Sequence, residues 1–375
     1  MTKNPSQLLT RIALPLALAL LGLAASCKKD KPDPTEPTDS FDRAAMLGNC
    51  ADSVILPNLQ AMQSRMSTLQ QNATAFTQNP DLTGLLALRN DFQAAYLAYE
   101  QVCAFEFGPS ETELIRANCN TFPTDTAQIH ANIASGSYDL FTAANLDAKG
   151  FPALDFLLHG KNMSDNTIVS LFASSANRRA YLNDLVSHLA SHFSDVLNGW
   201  TGGYRGTFIA STGNDIGSSM GYMVNQLCYD LEQIKNARVG IPLGKFSMGV
   251  PFPEKCENYY SGQSVPLALA CLDNIESFYL GRSRSGANGK GLDDHLDHLG
   301  AQHTSGSLNT AIKNQFISAR TKLQAVSDPL SVQVVSNPAL VDTAYVALQK
   351  LTVLLKTDMP SALGVVITYQ DTDGD

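Results

Sequence analysis

Apolar residues recur at steps of three and four along most of the chain, which is the spacing of one face of an α-helix. Each such stretch predicts an amphipathic helix that buries one side. The stretches cover residues 59–76, 85–103, 182–200, 224–234, 312–326 and 341–355. Only residues 365–369 resemble a strand.

Glycine and proline fall between these stretches and mark the ends of the predicted helices. Asn79-Pro80, Gly108-Pro109 and Gly202-Gly203 are such breaks, and residues 239–253 predict a loop. Because the alternation of strands and helices typical of α/β proteins is missing, the predicted fold class is all-α, with helices packed as antiparallel bundles. A helix pair followed by a Gly/Pro-rich stretch occurs around 58–125 and again around 178–255, which indicates a possible internal duplication.

The N-terminus has the composition of an export signal. Lys3 and Arg11 precede an apolar run at 12–25, which is shorter than a membrane-spanning helix requires. Small residues end this run directly before Cys27. We therefore predict a signal peptide over 1–26 and acylation of Cys27, the alternative being an ordinary cleaved signal with an incidental cysteine.

Residues 27–40 contain three prolines and dense charge, so they predict an extended tether between a lipid anchor and a folded body. The predicted partner of Cys27 is thus a membrane. Lys28 follows the cysteine where aspartate would favour the inner membrane, so we expect an outer-membrane lipoprotein that faces the periplasm or the cell surface.

The chain has a formal net charge of -9. Its predicted signal peptide carries two basic residues and no acidic ones, so the mature part is more acidic still. This excess argues against nucleic acid as a partner, because nucleic-acid binding needs a basic surface.

Six cysteines remain after Cys27, and an even number in an exported protein favours disulfides. Spacing alone favours Cys103–Cys119 and Cys256–Cys271, which leaves Cys50–Cys228. Reduced, buried cysteines are the alternative.

Two groups of histidines are candidate metal ligands. His188 and His192 are four residues apart and project to one side of a predicted helix, although the absence of a third-ligand motif favours a boundary between core and solvent. Residues 293–298 contain three aspartates and two histidines, which also suit a solvated helix start. The acidic end at 371–375 resembles the opening of a calcium loop but lacks the later ligands.

Residues 150–160, GFPALDFLLHG, are similar to the signature of imelysin-like proteins. Further segments resemble that family in the same order over most of residues 43–365. They are the helix from Arg89 to the FEFGP turn at 105–109, FPTD at 122–125, NARVGIPLG at 236–244, ENYYSGQS at 257–264 and GLDD at 291–294.

This resemblance implies two related helical bundles, which we place at 41–205 and 206–365, followed by an acidic tail at 366–375. It also implies a site in the cleft between them. Carried over by motif position, the candidate ligand-binding residues are Arg89, Glu106, Gly150, Pro152, Asp155, Glu257, Tyr260, Ser261, Ser264 and Asp293. Hydrogen-bonded residues of a domain interface would show the same pattern.

The family was named for a metallopeptidase, with a proposed metal motif GxHxxE, and other members are linked to iron uptake. Here Pro152 and Asp155 stand at the His and Glu positions, and proline cannot bind a metal. We therefore expect a non-catalytic lipoprotein associated with iron acquisition, with iron, another divalent metal, a small ligand or an envelope transport protein as partner. The rival is a metallopeptidase in which Asp155 binds metal together with His159, His188 or His192. A structural or glycan-handling role is a third hypothesis.

Overall fold

The computed structural model describes residues 39–304 and 306–369. The predicted signal peptide, Cys27, most of the tether and the calcium-like end at 371–375 lie outside the described residues. From Phe41 onward the chain forms one compact unit.

Helices dominate the described residues, as predicted. In chain order the first ten are α1 Arg43–Asn49, α2 Leu56–Gln78, α3 Leu82–Glu100, α4 Pro109–Thr112, α5 Ile115–Cys119, α6 Thr126–Ser135, α7 Gly150–His159, α8 Asp165–Ser174, α9 Ala176–Gly199 and α10 Arg205–Ala210. The remaining elements are α11 Ser219–Glu232, α12 Ile241–Leu243, α13 Ser264–Tyr279, α14 Leu292–His298, β1 Gln302–His303, β2 Gly306–Ser307, α15 Leu308–Gln324, α16 Leu330–Ser336, α17 Pro338–Val353 and α18 Met359–Leu363.

Short turns of wider or tighter helix continue or link these elements. The wider π turns are Cys50–Ile55, Trp200–Tyr204, Gln233–Gly240 and Leu354–Asp358, and the tighter 3-10 turns are Cys103–Phe105, Ala143–Asn145 and Pro253–Lys255. The two strands form a small antiparallel hairpin.

Amphipathic stripes account for how the long helices pack. Helix α2 lies against both α3 and α9, and α15 packs on α17 and α13. Helix α13 also packs against α3, so the first and second halves of the chain share one apolar core. The predicted division at 205/206 stays a prediction, and so does the internal duplication.

Helix α7 is buried from Gly150 to Leu158, on every face. It contacts α3, α5, α6, α8 and α9, which explains why its sequence is apolar around the whole helix. Gly150 starts it with a φ of 77°, and a Cβ there would collide with the carbonyl of Cys119. Glycine is therefore required where α7 enters the core.

All six predicted helices are confirmed, whereas the predicted strand at 365–369 is wrong. The side chain of Asn225 accepts from the Thr368 amide (2.8 Å) and donates to the Val366 carbonyl (3.0 Å). These bonds satisfy the extended backbone without a neighbouring strand.

Residues 338–363 are long and apolar enough to span a membrane by length and composition. Their apolar residues, however, include Val341, Leu348, Leu351 and Leu355, which are fully buried in the core. Packing of α17 on α15 gives this helix the role of a core helix of the folded body.

The three predicted disulfides are wrong, because Cys50, Cys103, Cys119, Cys228, Cys256 and Cys271 are all free and buried. Cys103 faces Cys271 on α13 rather than Cys119, with the two sulfurs 2.9 Å apart. Cys228 instead donates to the carbonyl of Leu355. Sequence spacing misled because the packing partners of each cysteine come from distant helices.

We expect Gly150→Ala to lower the free energy of unfolding by about 1–3 kcal/mol, since it adds both a positive-φ penalty and a backbone collision. Gly48→Ala is the matched control: a Cβ at Gly48 would have no heavy atom within 4 Å. Alanine in that helix should stabilise by about 0.5–1 kcal/mol. Urea unfolding of both variants measures the two changes, and equal effects would contradict the packing of α7.

Candidate functional site

Asp155 joins α7 to the segment 257–263, which precedes α13. Its carboxylate oxygens accept hydrogen bonds from the backbone amides of Tyr260 (2.8 Å) and Ser261 (2.9 Å). The same carboxylate lies 3.1 Å from Nδ1 of His159, one turn along α7. Asp155 is nearly inaccessible to solvent, so its charge is compensated by these donors alone.

A groove of about 680 Å³ opens beside this junction, between the exposed side of α3 and the segment 257–263. We call it the α3 groove. Its lining is Leu86, Arg89, Asn90, Gln93, Ala94, Leu97, His159, Ser261 and Gln263. Polar groups from both halves of the chain therefore face one open space.

Arg89 forms one wall of the α3 groove and is itself held in place. Its Nε donates to the carbonyl of Leu158 (2.9 Å) and its Nη1 pairs with Asp165 at 2.8 Å. The guanidinium thus bridges the end of α7 and the start of α8. Its position is fixed before any ligand arrives, which reduces the entropy lost on binding.

A buried ionic cluster lies deeper between the two halves. Arg238 Nη1 is 2.6 Å from Glu100 Oε2 and 3.1 Å from Glu257 Oε2, and all three side chains are buried. Glu257 also accepts from Asn120 (2.7 Å) and from the hydroxyl of Tyr96 (3.2 Å). Two carboxylates therefore share one guanidinium in a medium that excludes water.

Burial raises the pKa of Glu100 well above its ordinary value, and the attraction of Arg238 opposes this shift. The charge of Glu257 adds to the increase. The physical cause is that desolvation penalises the charged form of a carboxyl group. Burial in this cluster therefore favours the protonated form of Glu100 relative to an exposed glutamate.

Arg116 forms a second ion pair next to this cluster. Its Nη2 lies 2.8 Å from Asp230, its guanidinium covers the ring of Tyr229, and its backbone amide donates to Glu106. Burial raises the pKa of Glu106, and Arg116 opposes that rise. A cavity of about 30 Å³ separates Arg116 from Arg238, which is room for about one water molecule.

The structure brings several predicted residues together. Asp155, Tyr260 and Ser261 are in direct contact, and Ser264 donates to the carbonyl of Glu257 at 2.5 Å. Arg89 lines the same α3 groove as Ser261. Residues of these motifs from both halves of the chain therefore lie close together, while their role as a binding site stays a prediction.

Other predicted residues take different places. Asp293 lies on α14, where it pairs with Lys313 of α15 at 2.8 Å. Gly150 and Pro152 start α7 and serve its backbone geometry. Glu106 faces the backbone of α5. These contacts make all four residues part of the scaffold.

The acidic cluster at 293–298 is explained by local structure. Asp294 accepts from the Gly291 amide in a capping arrangement, and Asp297 accepts from Asn309. His295 stacks on Phe41, with ring centroids 4.4 Å apart. The helix-start interpretation therefore accounts for the carboxylates without a metal.

Sequence reasoning missed the ionic cluster. Glu100, Arg116, Asp230 and Arg238 were not among the predicted site residues, although Arg238 lies in the NARVGIPLG segment. Glu100 follows Tyr96 by one turn on the buried side of α3, where a charged residue interrupts an apolar stripe. This charged residue within an apolar stripe was the sequence signal that could have indicated the buried ionic cluster.

The carboxylate of the predicted metal ligand Asp155 already accepts hydrogen bonds from the amides of Tyr260 and Ser261, and Nδ1 of His159 lies 3.1 Å from it. Within the described residues, one group of three potential ligands converges: Glu100, Cys103 and Cys271. Burial raises the pKa of Cys103, which favours the thiol over the metal-binding thiolate.

Comparisons with known proteins agree with this architecture. The profile of the imelysin family matches residues 55–357. A protein named iron-regulated protein A from Synechococcus elongatus is 20% identical over 335 residues, covering 87% of this chain and 88% of that protein.

Two crystal structures share the fold. One, from Parabacteroides distasonis and described as an iron-regulated protein A precursor, has a TM-score of 0.74 at 19% identity, covering 88% of this chain and 97% of that chain. The other, an imelysin-like protein from Psychrobacter arcticum, has a TM-score of 0.67 at 16% identity, covering 87% and 97%.

We expect Arg238→Met to lower the free energy of unfolding by about 3–5 kcal/mol at neutral pH, because it leaves Glu100 and Glu257 buried without a cation. Removal of Arg238 also removes the attraction that opposes the rise in the pKa of Glu100, so the loss should shrink as pH falls towards 4.5, the ordinary pKa of a glutamate, and Glu100 becomes protonated. Denaturant unfolding across this pH range measures both effects.

Arg205→Met is the control, since Arg205 forms an exposed pair with Asp52. Exposed pairs contribute little to stability. A similar loss of unfolding free energy in Arg205→Met and Arg238→Met would contradict a special role of the buried cluster in stability.

Proposed function

The chain belongs to the imelysin family, and we propose that it is an exported, non-catalytic ligand-binding protein with an iron-related role. The iron-related part rests on the name of the relative from Synechococcus elongatus, iron-regulated protein A. The non-catalytic part rests on the geometry around Asp155.

Asp155 is the observation that carries this proposal. A catalytic metal needs about three protein ligands and an open position. Pro152 offers no ligand atom, and the carboxylate of Asp155 is bound by the amides of Tyr260 and Ser261. His159 does approach Asp155, but its Nδ1 points at the carboxylate itself, so the two groups satisfy each other. Asp155 thus holds the 257–263 segment in place.

The α3 groove is the proposed ligand site. It offers amide, hydroxyl, imidazole and guanidinium groups from both halves of the chain. Such groups donate hydrogen bonds to carboxylate and hydroxyl oxygens. An iron chelate with carboxylate groups matches this lining in size and chemistry, so we propose a ferric carboxylate complex as the ligand class.

We expect ferric citrate to bind the purified protein with one site per chain, and Ala94→Trp to weaken this binding at least tenfold by filling the α3 groove. Ala94 lines the groove and lies on α3, where a larger side chain adds bulk without removing an existing contact of Arg89. Calorimetry measures the affinity, and Ala94→Ser is the matched control.

Unchanged affinity in Ala94→Trp, or no binding of ferric citrate by the wild type, would overturn the proposed site. Cleavage of an unfolded protein substrate that stops on addition of a chelator would instead favour the alternative, a metallopeptidase with an atypical site.

We also propose that Cys27 carries the lipid anchor of an outer-membrane lipoprotein. Cys27→Ser should abolish incorporation of labelled palmitate and move the protein from the detergent phase to the aqueous phase. Cys50→Ser is the control, since Cys50 is buried in the folded body. Retained labelling in Cys27→Ser would contradict the anchor.

A further inference from the structure

We propose that His188 and His192 form a binding site for one divalent transition-metal ion, on α9 and separate from the α3 groove. The two residues lie one turn apart and are buried, with 5% and 7% of their surfaces exposed. Their Nε2 atoms face each other at 3.4 Å. This site goes beyond the proposed function, which does not depend on it.

The separation of the two nitrogens fits a metal ion better than it fits a hydrogen bond. Two imidazole ligands at 2.0–2.1 Å from a tetrahedral zinc ion place their nitrogens about 3.3–3.4 Å apart. An ordinary hydrogen bond from a ring nitrogen has a donor–acceptor distance near about 3.0 Å. The helix therefore presents both lone pairs at the spacing that tetrahedral coordination requires.

Glu113 completes the arrangement that metal-binding histidines typically show. Its Oε2 lies 2.7 Å from Nδ1 of His192. A carboxylate on Nδ1 fixes the tautomer that leaves Nε2 free for a metal and increases its basicity. Glu113 comes from the short segment after α4, so the pair is oriented by tertiary structure and not by α9 alone.

The surroundings of His188 also suit metal binding through Nε2. Its Nδ1 is buried without a hydrogen-bond partner, so Nε2 is the atom through which it interacts.

An entry path and further coordination positions lie beside the pair. A cavity of about 400 Å³ is lined by His188, Ser187, Ser191, Asp184 and Asp139. The ring of Phe141, three-quarters exposed, lies 4.9 Å from that of His188 and partly covers the opening. Water can thus occupy the positions that the protein does not fill.

The local charge favours a cation. Glu113, Asp139 and Asp184 face the site or its cavity, while Lys149 is the nearby cation that influences His188. The ammonium of Lys149 donates to the carbonyl of Leu140, which holds it on the backbone. Three carboxylates against one ammonium give a net attraction for a divalent ion.

Titration of the purified full chain with Zn²⁺ and Co²⁺ tests the site. We expect one bound Zn²⁺ per chain by calorimetry and visible absorption typical of tetrahedral Co²⁺. Glu113→Gln should weaken binding about 10–100-fold, because it removes only the partner of a ligand. The double variant His188→Gln/His192→Gln should abolish binding, whereas His130→Gln, at an exposed histidine, should not change it.

A measurement on the wild type keeps the proposal testable if the double variant fails to fold. The chain contains seven histidines. Nitrogen-15 NMR of labelled histidine should show that Zn²⁺ shifts two Nε2 signals, and Ala94→Trp should leave those shifts intact. Zn²⁺ shifts on other histidines, unchanged affinity in the double variant, or no wild-type binding would overturn the site. If Ala94→Trp loses ferric citrate binding but keeps Zn²⁺ binding, the α3 groove and the histidine site bind independently of each other.

Discussion

The desolvated guanidinium of Arg238 is the group on which the junction between the two halves of the chain depends. It is the cation for Glu100 at the end of α3 and for Glu257 in the segment before α13. Neither carboxylate has access to bulk solvent, so each needs this partner in order to be buried charged. Such a cluster adds little net stability compared with apolar packing, but breaking it is costly. It therefore fixes which segments meet rather than how strongly the chain folds.

The segment 257–263 is held at two points because of this arrangement. Glu257 is fixed by Arg238 and Asn120, and three residues later Asp155 captures the backbone amides. The short irregular segment thus becomes a rigid wall of the α3 groove, opposite Arg89. Rigid walls with polar groups suit a binding site, because little ordering entropy is lost when a ligand arrives. Asp155 thus helps to maintain the shape of the groove.

The α3 groove and the histidine pair on α9 differ in the chemistry they offer. The groove is wide, open and lined by hydrogen-bond donors, whereas the pair places two imidazole nitrogens 3.4 Å apart beside a smaller cavity. The first suits an oxygen-rich molecule, and the second suits a bare ion. The groove lies on the open side of α3, whereas the two histidines are buried residues of α9.

The sequence by itself determined the fold class and the long helices. Periodicity at Leu59, Met62 and Met66, for example, specifies a buried face on α2 whatever its partner is. The resemblance of the 150–160 and 257–264 segments to one family also singled out two segments that lie together, since Asp155 contacts Tyr260 and Ser261.

Only the tertiary structure decided which side chains contact each other. Cys103 lies beside Cys271 rather than Cys119, Asp293 pairs with Lys313 away from the groove, and Arg238 was not recognised as the common partner of Glu100 and Glu257. The physical reason is the separation along the chain over which each effect acts. Periodicity and capping act between residues a few positions apart, whereas burial of charge and matching of side chains depend on which separate segments of the chain pack together.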